Sequence, residues 1–301
     1  MALCPIANRD LTSSPAFVGK KRPIHHIKIT GFVKTHGAFR IFCWRWLDTF
    51  GGDVLKKGAV VSSVFTYIAD LLFPLSCKMC GISIRMGETP GLCESCWSTI
   101  QFLDGPCCPR CGKPFASEAA LSYSPNHQCG DCREKPPYYD RAISVAHYDK
   151  ALAEAIHLFK YSKKTQWSRP LGRLLLKRVS DLGKFDVILA VPLHPKRLRQ
   201  REFNQSLLLA REVSLETGLP LQVDNLCRVR WTQPQIELNG EERRKNVRRA
   251  FEVKRPDQVE DRCVVLIDDV FTTGATVNEC ARILKRAGAK SVAVLTLARM
   301  V

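Results

Sequence analysis

The stretch that most constrains this chain lies near its C-terminal end: Val264-Val265-Leu266-Ile267-Asp268-Asp269-Val270-Phe271-Thr272-Thr273-Gly274-Ala275-Thr276. Four apolar residues, three of them β-branched, predict a short strand buried on both faces. Two carboxylates stand at its end, and a turn of Thr, Gly and Ala follows. Val277, Cys280, Ala281 and Leu284 then recur at helical spacing. Strand, polar turn and helix in this order present backbone N–H groups to an anion. Gly274 lets the backbone approach a phosphate closely, and the hydroxyls of Thr272, Thr273 and Thr276 add donors. Asp268 and Asp269 have no counter-ion within the motif. Paired acids beside such a cradle suit sugar hydroxyls or a hydrated Mg²⁺. An ordinary βα turn with an acidic end is the competing reading.

The stretch resembles the phosphoribosyl-pyrophosphate (PRPP) motif of type I phosphoribosyltransferases: four apolar residues, two acids, then a Thr-Gly-Ala-Thr loop. The resemblance implies that Asp268 and Asp269 hold the ribose 2′- and 3′-hydroxyls. It also implies that Thr272, Thr273, Gly274, Ala275 and Thr276 hold the 5′-phosphate.

Length and charge set the outer bounds. A chain of 301 residues has room for one large domain and a smaller one, and 45% apolar residues supply a core. The net charge of +17 is unevenly spread. Residues 1–60 and residues 141–185 each hold ten Lys/Arg against three Asp/Glu, and residues 186–256 hold fourteen against nine. The Cys-rich part, 77–140, holds six against seven, so it is not itself a basic nucleic-acid reader. The basic surface of the remainder fits a polyanion such as pyrophosphate, a nucleotide or DNA. A solvated basic face with no ligand accounts for it equally.

No segment reaches the roughly 18 consecutive apolar residues of a transmembrane helix. Residues 59–74 are apolar but broken by Ser62, Ser63, Thr66 and Asp70. The first 30 or so residues lack the apolar core of a secretory signal, so a cytoplasmic protein is expected. Residues 1–58 form a basic leader in which Trp44, Trp46 and Phe50 follow no period. The leader is expected to be disordered, or to be translated from a misplaced start with the protein beginning near residues 54–61. Residues 59–137 then make a Cys-rich module with a preceding helix at 60–72, and residues 138–301 make the larger domain.

The module holds four Cys-x-x-Cys pairs: Cys77 and Cys80, Cys93 and Cys96, Cys108 and Cys111, Cys129 and Cys132. Twelve residues separate the first two pairs and seventeen the last two. Each pair closes a tight knuckle that places two thiolates on one tetrahedral ion, and two knuckles complete a Cys₄ site. Gly81 and Gly112 follow two of the pairs, where a knuckle needs an unhindered backbone. Four pairs therefore predict two zinc ribbons holding one or two structural Zn²⁺, with pairing in chain order the simplest assignment. A cytosolic chain argues against disulfides. Cys107 reads as a spare thiol, and Cys4, Cys43, Cys227, Cys263 and Cys280 fall outside this spacing and read as small core or surface residues.

Lys135-Pro136-Pro137 marks a linker. A strand is expected within 138–148, a helix over 151–160 with Leu152, Ala155, Ile156 and Phe159 on one face, and a second helix over 167–182. His157 reads as a satisfied structural residue rather than a catalytic one. A strand at 185–191 runs into a proline-flanked turn, Pro192-Leu193-His194-Pro195-Lys196-Arg197, that points basic groups beyond the strand end, where open α/β sheets bind ligands. A helix from about 206 to 216 stops at Gly218 and Pro220. One strand is expected over 221–229. A polar stretch of about 18 residues follows, which is unusual inside a compact domain. It reads as a solvated loop or as a mobile lid over a charged substrate, with Arg243, Arg244 and Lys245 as loop cations. Residues 250–253 are expected to resume the sheet, and 291–297 to complete it.

Together these segments resemble the ComF family, and most closely its GntX-like members. The marks are the four cysteine pairs, His157 with Lys160-Tyr161, Val191-Pro192-Leu193, Phe203-Asn204-Gln205, residues 232–235, Arg244 with Asn246, and the PRPP motif. The resemblance implies a double zinc ribbon followed by a type I phosphoribosyltransferase fold, a mainly parallel sheet flanked by helices. It implies a role in natural competence or in DNA uptake and use. It places pyrophosphate at Leu193, His194, Lys196 and Arg197. Glu202 departs from the family, which usually has Gly there; a need for positive φ at that position would weaken the pyrophosphate site. Two functions are implied. One is Mg²⁺-dependent transfer of phosphoribose to a nitrogen acceptor. The other is a non-catalytic protein that senses PRPP or holds single-stranded DNA, its ribbons contacting a DNA-processing partner such as a helicase.

Overall fold

A computed structural model describes residues 75–84, 91–122, 124–161, 165–232 and 240–300. The leader, the helix expected at 60–72 and residues 233–239 of the polar stretch lie outside these. By compactness the chain divides into Met1–Asp53 and Val54–Val301, and all the described residues lie in the second unit.

The Cys-rich module is built of short pieces. Strand β1 (Leu75–Ser76) pairs antiparallel with β2 (Ser83–Ile84), and three brief helices follow: α1 (Glu94–Ser98), α2 (Ala119–Ser122) and α3 (Gly130–Glu134). Pieces this short bury little apolar surface of their own. The larger part runs β3 (Arg141–His147), α4 (Lys150–Tyr161), α5 (Ser168–Leu176), β4 (Val187–Ala190), α6 (Pro195–Arg201), α7 (Gln205–Thr217), β5 (Leu221–Gln222), β6 (Leu226–Arg228), α8 (Gly240–Val247), β7 (Phe251–Val253), β8 (Cys263–Phe271), α9 (Ala275–Arg286) and β9 (Ser291–Arg299). Five strands form a parallel sheet in the order β3-β9-β8-β4-β5. This is the helix-flanked parallel sheet that the family resemblance implies.

The motif strand β8 is the centre of the sheet, and Val264, Val265, Leu266 and Ile267 are buried. Their alternation divides the core. Val265 and Ile267 pack with Leu152, Phe159, Leu171 and Leu209 from α4, α5 and α7. Val264 and Leu266 pack with Val277, Cys280 and Leu284 from α9. The two ribbons divide the same way. Cys77 and Cys93 join the first cluster, whereas Cys108, Cys111, Cys129 and Cys132 join the second. Each ribbon is thus continuous with the core on one face of the sheet.

Several boundaries differ from expectation for local reasons. The helix expected over 167–182 ends at Leu176, and a 3₁₀ turn, Ser180–Leu182, runs to Gly183. The single strand expected over 221–229 is two, because Asp224 at φ +62° turns the chain. As a result β5 edges the main sheet while β6 pairs antiparallel with β7. Residues 250–253 therefore do not resume the main sheet. The basic run after Pro192 is a helix, α6, rather than an open turn. His194 caps it, its Nδ1 accepting from the Lys196 N–H at 3.2 Å, and Pro195 fits the first turn. Residues 240–247 also form a helix although they show no apolar period. Acids stand in the first turn of α8 and bases in the last, Glu241 pairs with Lys245 at 2.9 Å, and buried Val247 anchors the end. Among the described residues, no helix is long and apolar enough to cross a membrane.

Candidate functional site

Asp268 and Asp269 stand toward the C-terminal end of the central strand, where open α/β sheets receive ligands. The Ser206 hydroxyl, at the start of α7, donates to Asp268 Oδ1 at 2.8 Å, and the Asp269 N–H donates to the same oxygen at 3.0 Å. Burial, and then the charge of Asp269, push the Asp268 carboxyl up to about 7. The counter-ion absent from the motif comes from elsewhere in the chain: Lys160 Nζ, at the end of α4, lies 2.7 Å from Asp269 Oδ2. Both side chains are largely buried, 20% and 14% exposed, so solvent screens the pair weakly. In the sequence alone Lys160 has no role beyond a family mark.

The loop after the acids turns sharply into α9. Gly274 is the N-cap at φ +71°, and a Cβ there would stand 2.5 Å from Phe271 Cζ. Conformation and space both require glycine. Thr273 Oγ1 accepts from the Ala275 N–H at 3.4 Å, Thr272 is half-buried and Ala275 is buried. Strand end, glycine cap and the first residues of a helix (Ala275, Thr276) thus meet at one place.

A basic and aromatic wall is built from β4, α6 and β6. Asn204 donates to the Val191 carbonyl at 3.0 Å and caps α7 by accepting from the Ser206 N–H at 3.1 Å. The family mark Phe203-Asn204-Gln205 therefore tethers α7 to the end of β4, and Phe203 packs 5.7 Å from Phe159. Leu193 and His194 are half-buried in that connection. The His194 ring meets Trp231 edge-on at 5.2 Å, while Lys196 and Arg197 each lie 5.7 Å from the Trp231 ring. Trp231 thus stands among the 194–197 cations. Burial lowers His194, and the nearby Arg228 charge adds to that.

Arg228 was not legible in the sequence beyond its oddity in a short apolar strand. It is buried, contacts the Thr232 hydroxyl, lies 5.3 Å from the Phe251 ring and leaves its Nε without a partner. Among the described residues no carboxylate is in ion-pair contact with it. A buried cation without an acid is costly, which suits a site that receives an anion.

Other expected residues lie apart. Arg243, Arg244 and Lys245 stand on α8 rather than in a loop. His157, expected as a satisfied structural residue rather than a catalytic one, is exposed with its ring 4.8 Å from that of Tyr161, which in turn lies 5.3 Å from the Arg201 guanidinium. Glu202 ends α6 at φ +71°, so the position does adopt the conformation that favours glycine.

The cysteines gather in chain order into two groups, Cys77 with Cys80, Cys93 and Cys96, and Cys108 with Cys111, Cys129 and Cys132. Within each group the sulfurs all lie within 4.8 Å of one another. The backbone supports thiolate: the Cys93 N–H donates to Cys77 Sγ, and the Cys129 N–H to Cys108 Sγ, each at 3.4 Å. Burial would raise the Cys77 thiol, yet the N–H groups of Cys93, Cys80 and Met79 bring it down to about 6. Four soft donors at this spacing fit a tetrahedral structural zinc. Cys107 stands outside both groups.

Comparison with known proteins agrees with both parts. Residues 68–135 match the double zinc ribbon domain, and residues 204–300 match the phosphoribosyl transferase domain. DNA utilization protein YhgH of Escherichia coli O157:H7 is 37% identical over 235 residues, spanning 76% of this chain and 99% of that protein. Competence protein F of Haemophilus influenzae is 32% identical over 234 residues, spanning 75% and 98%. Among solved structures, glutamine PRPP amidotransferase from B. subtilis aligns at 21% identity and TM-score 0.33, over 47% of this chain and 30% of that one. The chain belongs to the ComF family of competence and DNA-utilization proteins, a double zinc ribbon joined to a type I phosphoribosyltransferase fold.

Proposed function

We propose that this protein binds PRPP, or a ligand carrying ribose 5-phosphate, at residues 268–276, and that it acts in competence or DNA utilization in the cytoplasm. The observation that carries the reading is the meeting of two acids at the central strand end with the glycine-capped start of α9. Asp268 and Asp269 accept the ribose hydroxyls. Thr272, Thr273, Gly274, Ala275 and Thr276 surround the 5′-phosphate, whose charge the helix N-terminus favours. Leu193, His194, Lys196 and Arg197 face the pyrophosphate, and buried Arg228 supplies the charge behind them. Mg²⁺, carried on the pyrophosphate, would neutralise its charge as it departs. If transfer occurs, the C1–oxygen bond to pyrophosphate breaks with its electron pair staying on that oxygen, a nitrogen of the acceptor bonds to C1, and that nitrogen's proton passes to the departing pyrophosphate or to water. Lys160, 2.7 Å from Asp269 Oδ2, holds that carboxylate in place while positive charge develops on the ribosyl ring.

Thermal unfolding of the full chain with ribose 5-phosphate and with PRPP tests the reading. Both ligands are expected to raise the midpoint by linkage, and Asp269→Ala with Thr273→Ala is expected to abolish the rise. An undiminished rise in that double variant refutes the assignment. Pyrophosphate release from labelled PRPP then separates the two functions: acceptor-dependent release supports transfer, and slow release indifferent to acceptors supports sensing.

Trp231 favours a second role for the same wall. An exposed indole with His194, Lys196 and Arg197 about it suits an unpaired base and its phosphates, as in a single DNA strand. Such binding would fall steeply with salt. Displacement of a labelled strand by PRPP would mark one shared site.

A further inference from the structure

Beyond the wall and the loop, a further concentration of like charge lies along the flank of α9. A cleft of about 370 Å³ between α8 and α9 is lined by Arg244, Arg248, Arg249, Arg282 and Arg286, with Tyr138 at its edge. Its volume falls in the range of small-molecule sites. One carboxylate, Glu279, also lines it, and that group is already engaged. Glu279 accepts two bonds from Arg282, at 2.7 and 2.8 Å, and a third from the Arg249 N–H at 2.7 Å. Burial would raise its carboxyl, but Arg282 and the Arg249 N–H hold it below the ordinary value. Among the described residues, Arg244, Arg248, Arg249 and Arg286 make no ion pair with an acid.

The cleft is held in shape. Arg249 is fixed at φ +56°, a conformation costly for a long side chain, by the bond from its N–H to Glu279. The Asn278 side-chain oxygen accepts from the Tyr138 N–H at 2.7 Å, which ties the linker after the ribbons to the same helix face. Tyr138 itself is 51% exposed, leaving its ring available. Five guanidinium groups gathered about a single carboxylate, itself taken by Arg282, repel one another. Their planar forks match the oxygens of phosphate, and an exposed aromatic ring beside them matches a nucleobase.

We propose that this cleft is a second phosphate-binding site, separate from the loop at 272–276, that takes the phosphates of a nucleotide with the base against Tyr138. Of the loop residues only Ala275 also lines the cleft, and the assignment stands independently of what residues 268–276 bind. The nucleotide is either free or part of a single strand, since both offer the same phosphates and base.

Calorimetry on the full chain at low salt decides it, with ATP, inorganic tripolyphosphate and a short oligothymidylate as probes. Arg248, in the turn after α8, and Arg286, on α9, are exposed side chains lining the cleft, so Arg248→Ala with Arg286→Ala should fold normally. This variant is expected to lose about tenfold or more in affinity for the nucleotide probe, with the response to ribose 5-phosphate unchanged. Asp269→Ala with Thr273→Ala is expected to keep nucleotide binding. Tyr138→Ala is expected to reduce ATP to the affinity of tripolyphosphate. Binding of ATP alone identifies a free nucleotide, and binding of the oligonucleotide alone identifies a strand. Equal binding of every probe by wild type and by the Arg248/Arg286 variant overturns the proposal. Binding by neither protein overturns it as well.

Discussion

Glu202 sits where the backbone wants glycine: it closes α6 at φ +71°, with its N–H bonded to the Leu198 carbonyl at 2.7 Å. The left-handed conformation costs a side-chain-bearing residue about 1–2 kcal/mol, partly offset by the entropy that glycine would lose on folding. Glu202→Gly is expected to raise stability by about 0.5–1 kcal/mol, read as a higher urea midpoint at unchanged slope. A lower midpoint would mean that a contact of the glutamate outweighs the strain. Asp268 makes a second claim at this scale. Its carboxyl titrates near 3.8 by default and is pushed up to about 7 in the fold. The folded state therefore binds that proton more tightly than the unfolded chain does. Its contribution to stability is largest below pH 4 or so, declines as pH rises toward about 7, and is constant above. The difference in unfolding free energy between wild type and Asp268→Asn, followed from pH 4.5 to 8, is expected to carry that slope. A flat difference would place the Asp268 carboxyl in the ordinary range.

Between elements, the second ribbon and the loop at 272–276 are joined by two side chains. Arg299, at the end of β9, donates to the Cys111 carbonyl at 2.7 Å and lies 4.5 Å from the centre of the Phe271 ring. Phe271 is the ring against which Gly274 closes. Arg299→Met removes a charged hydrogen bond worth about 1.5–3 kcal/mol and a desolvated cation–π contact worth about 2 kcal/mol. It is expected to lower stability and to weaken ribose 5-phosphate binding, although it touches neither acid. Unchanged affinity in the folded variant would show that the loop holds its shape without the ribbon. The legibility of these elements depends on what fixes each one. β8 and α9 could be read because a doubly buried strand and a glycine-capped helix are local patterns. α6 and α8 could not, since caps and charges rather than apolar period make them. The split of β5 from β6 rests on one backbone angle at Asp224. Lys160 and Arg228 escaped for a related reason: their meaning comes from what other elements bring beside them, Asp269 in one case and the Phe251 ring and the Thr232 hydroxyl in the other. The four cysteine pairs were legible because knuckle spacing is itself the geometry.

For the whole molecule, metal and fold are linked, because the two ribbons complete the cores on opposite faces of one sheet. Structural zinc contributes about 10–16 kcal/mol where binding and folding are one process, so removing it should lower the unfolding temperature of the entire described unit and not of the ribbons alone. The two sites should differ in lability. In the first, Cys80 is exposed and Cys96 half-exposed, whereas all four cysteines of the second are buried, between 1% and 7% exposed. A chelator reaches thiolates through solvent, so zinc is expected to leave in two phases, the first from Cys77, Cys80, Cys93 and Cys96. Cys80→Ser should remove the fast phase and leave the slow one. Ribose 5-phosphate binding should survive the fast phase, which empties the ribbon on the α4, α5 and α7 face. It should fail with the slow phase, because that ribbon reaches the loop at 272–276 through Arg299 and Phe271. Zinc release followed with a chromogenic chelator, with thermal shift on the same samples, tests both parts. Loss of binding in the fast phase would reverse the assignment of ribbon to loop, and a single phase of release would show that burial of the second site does not protect its metal.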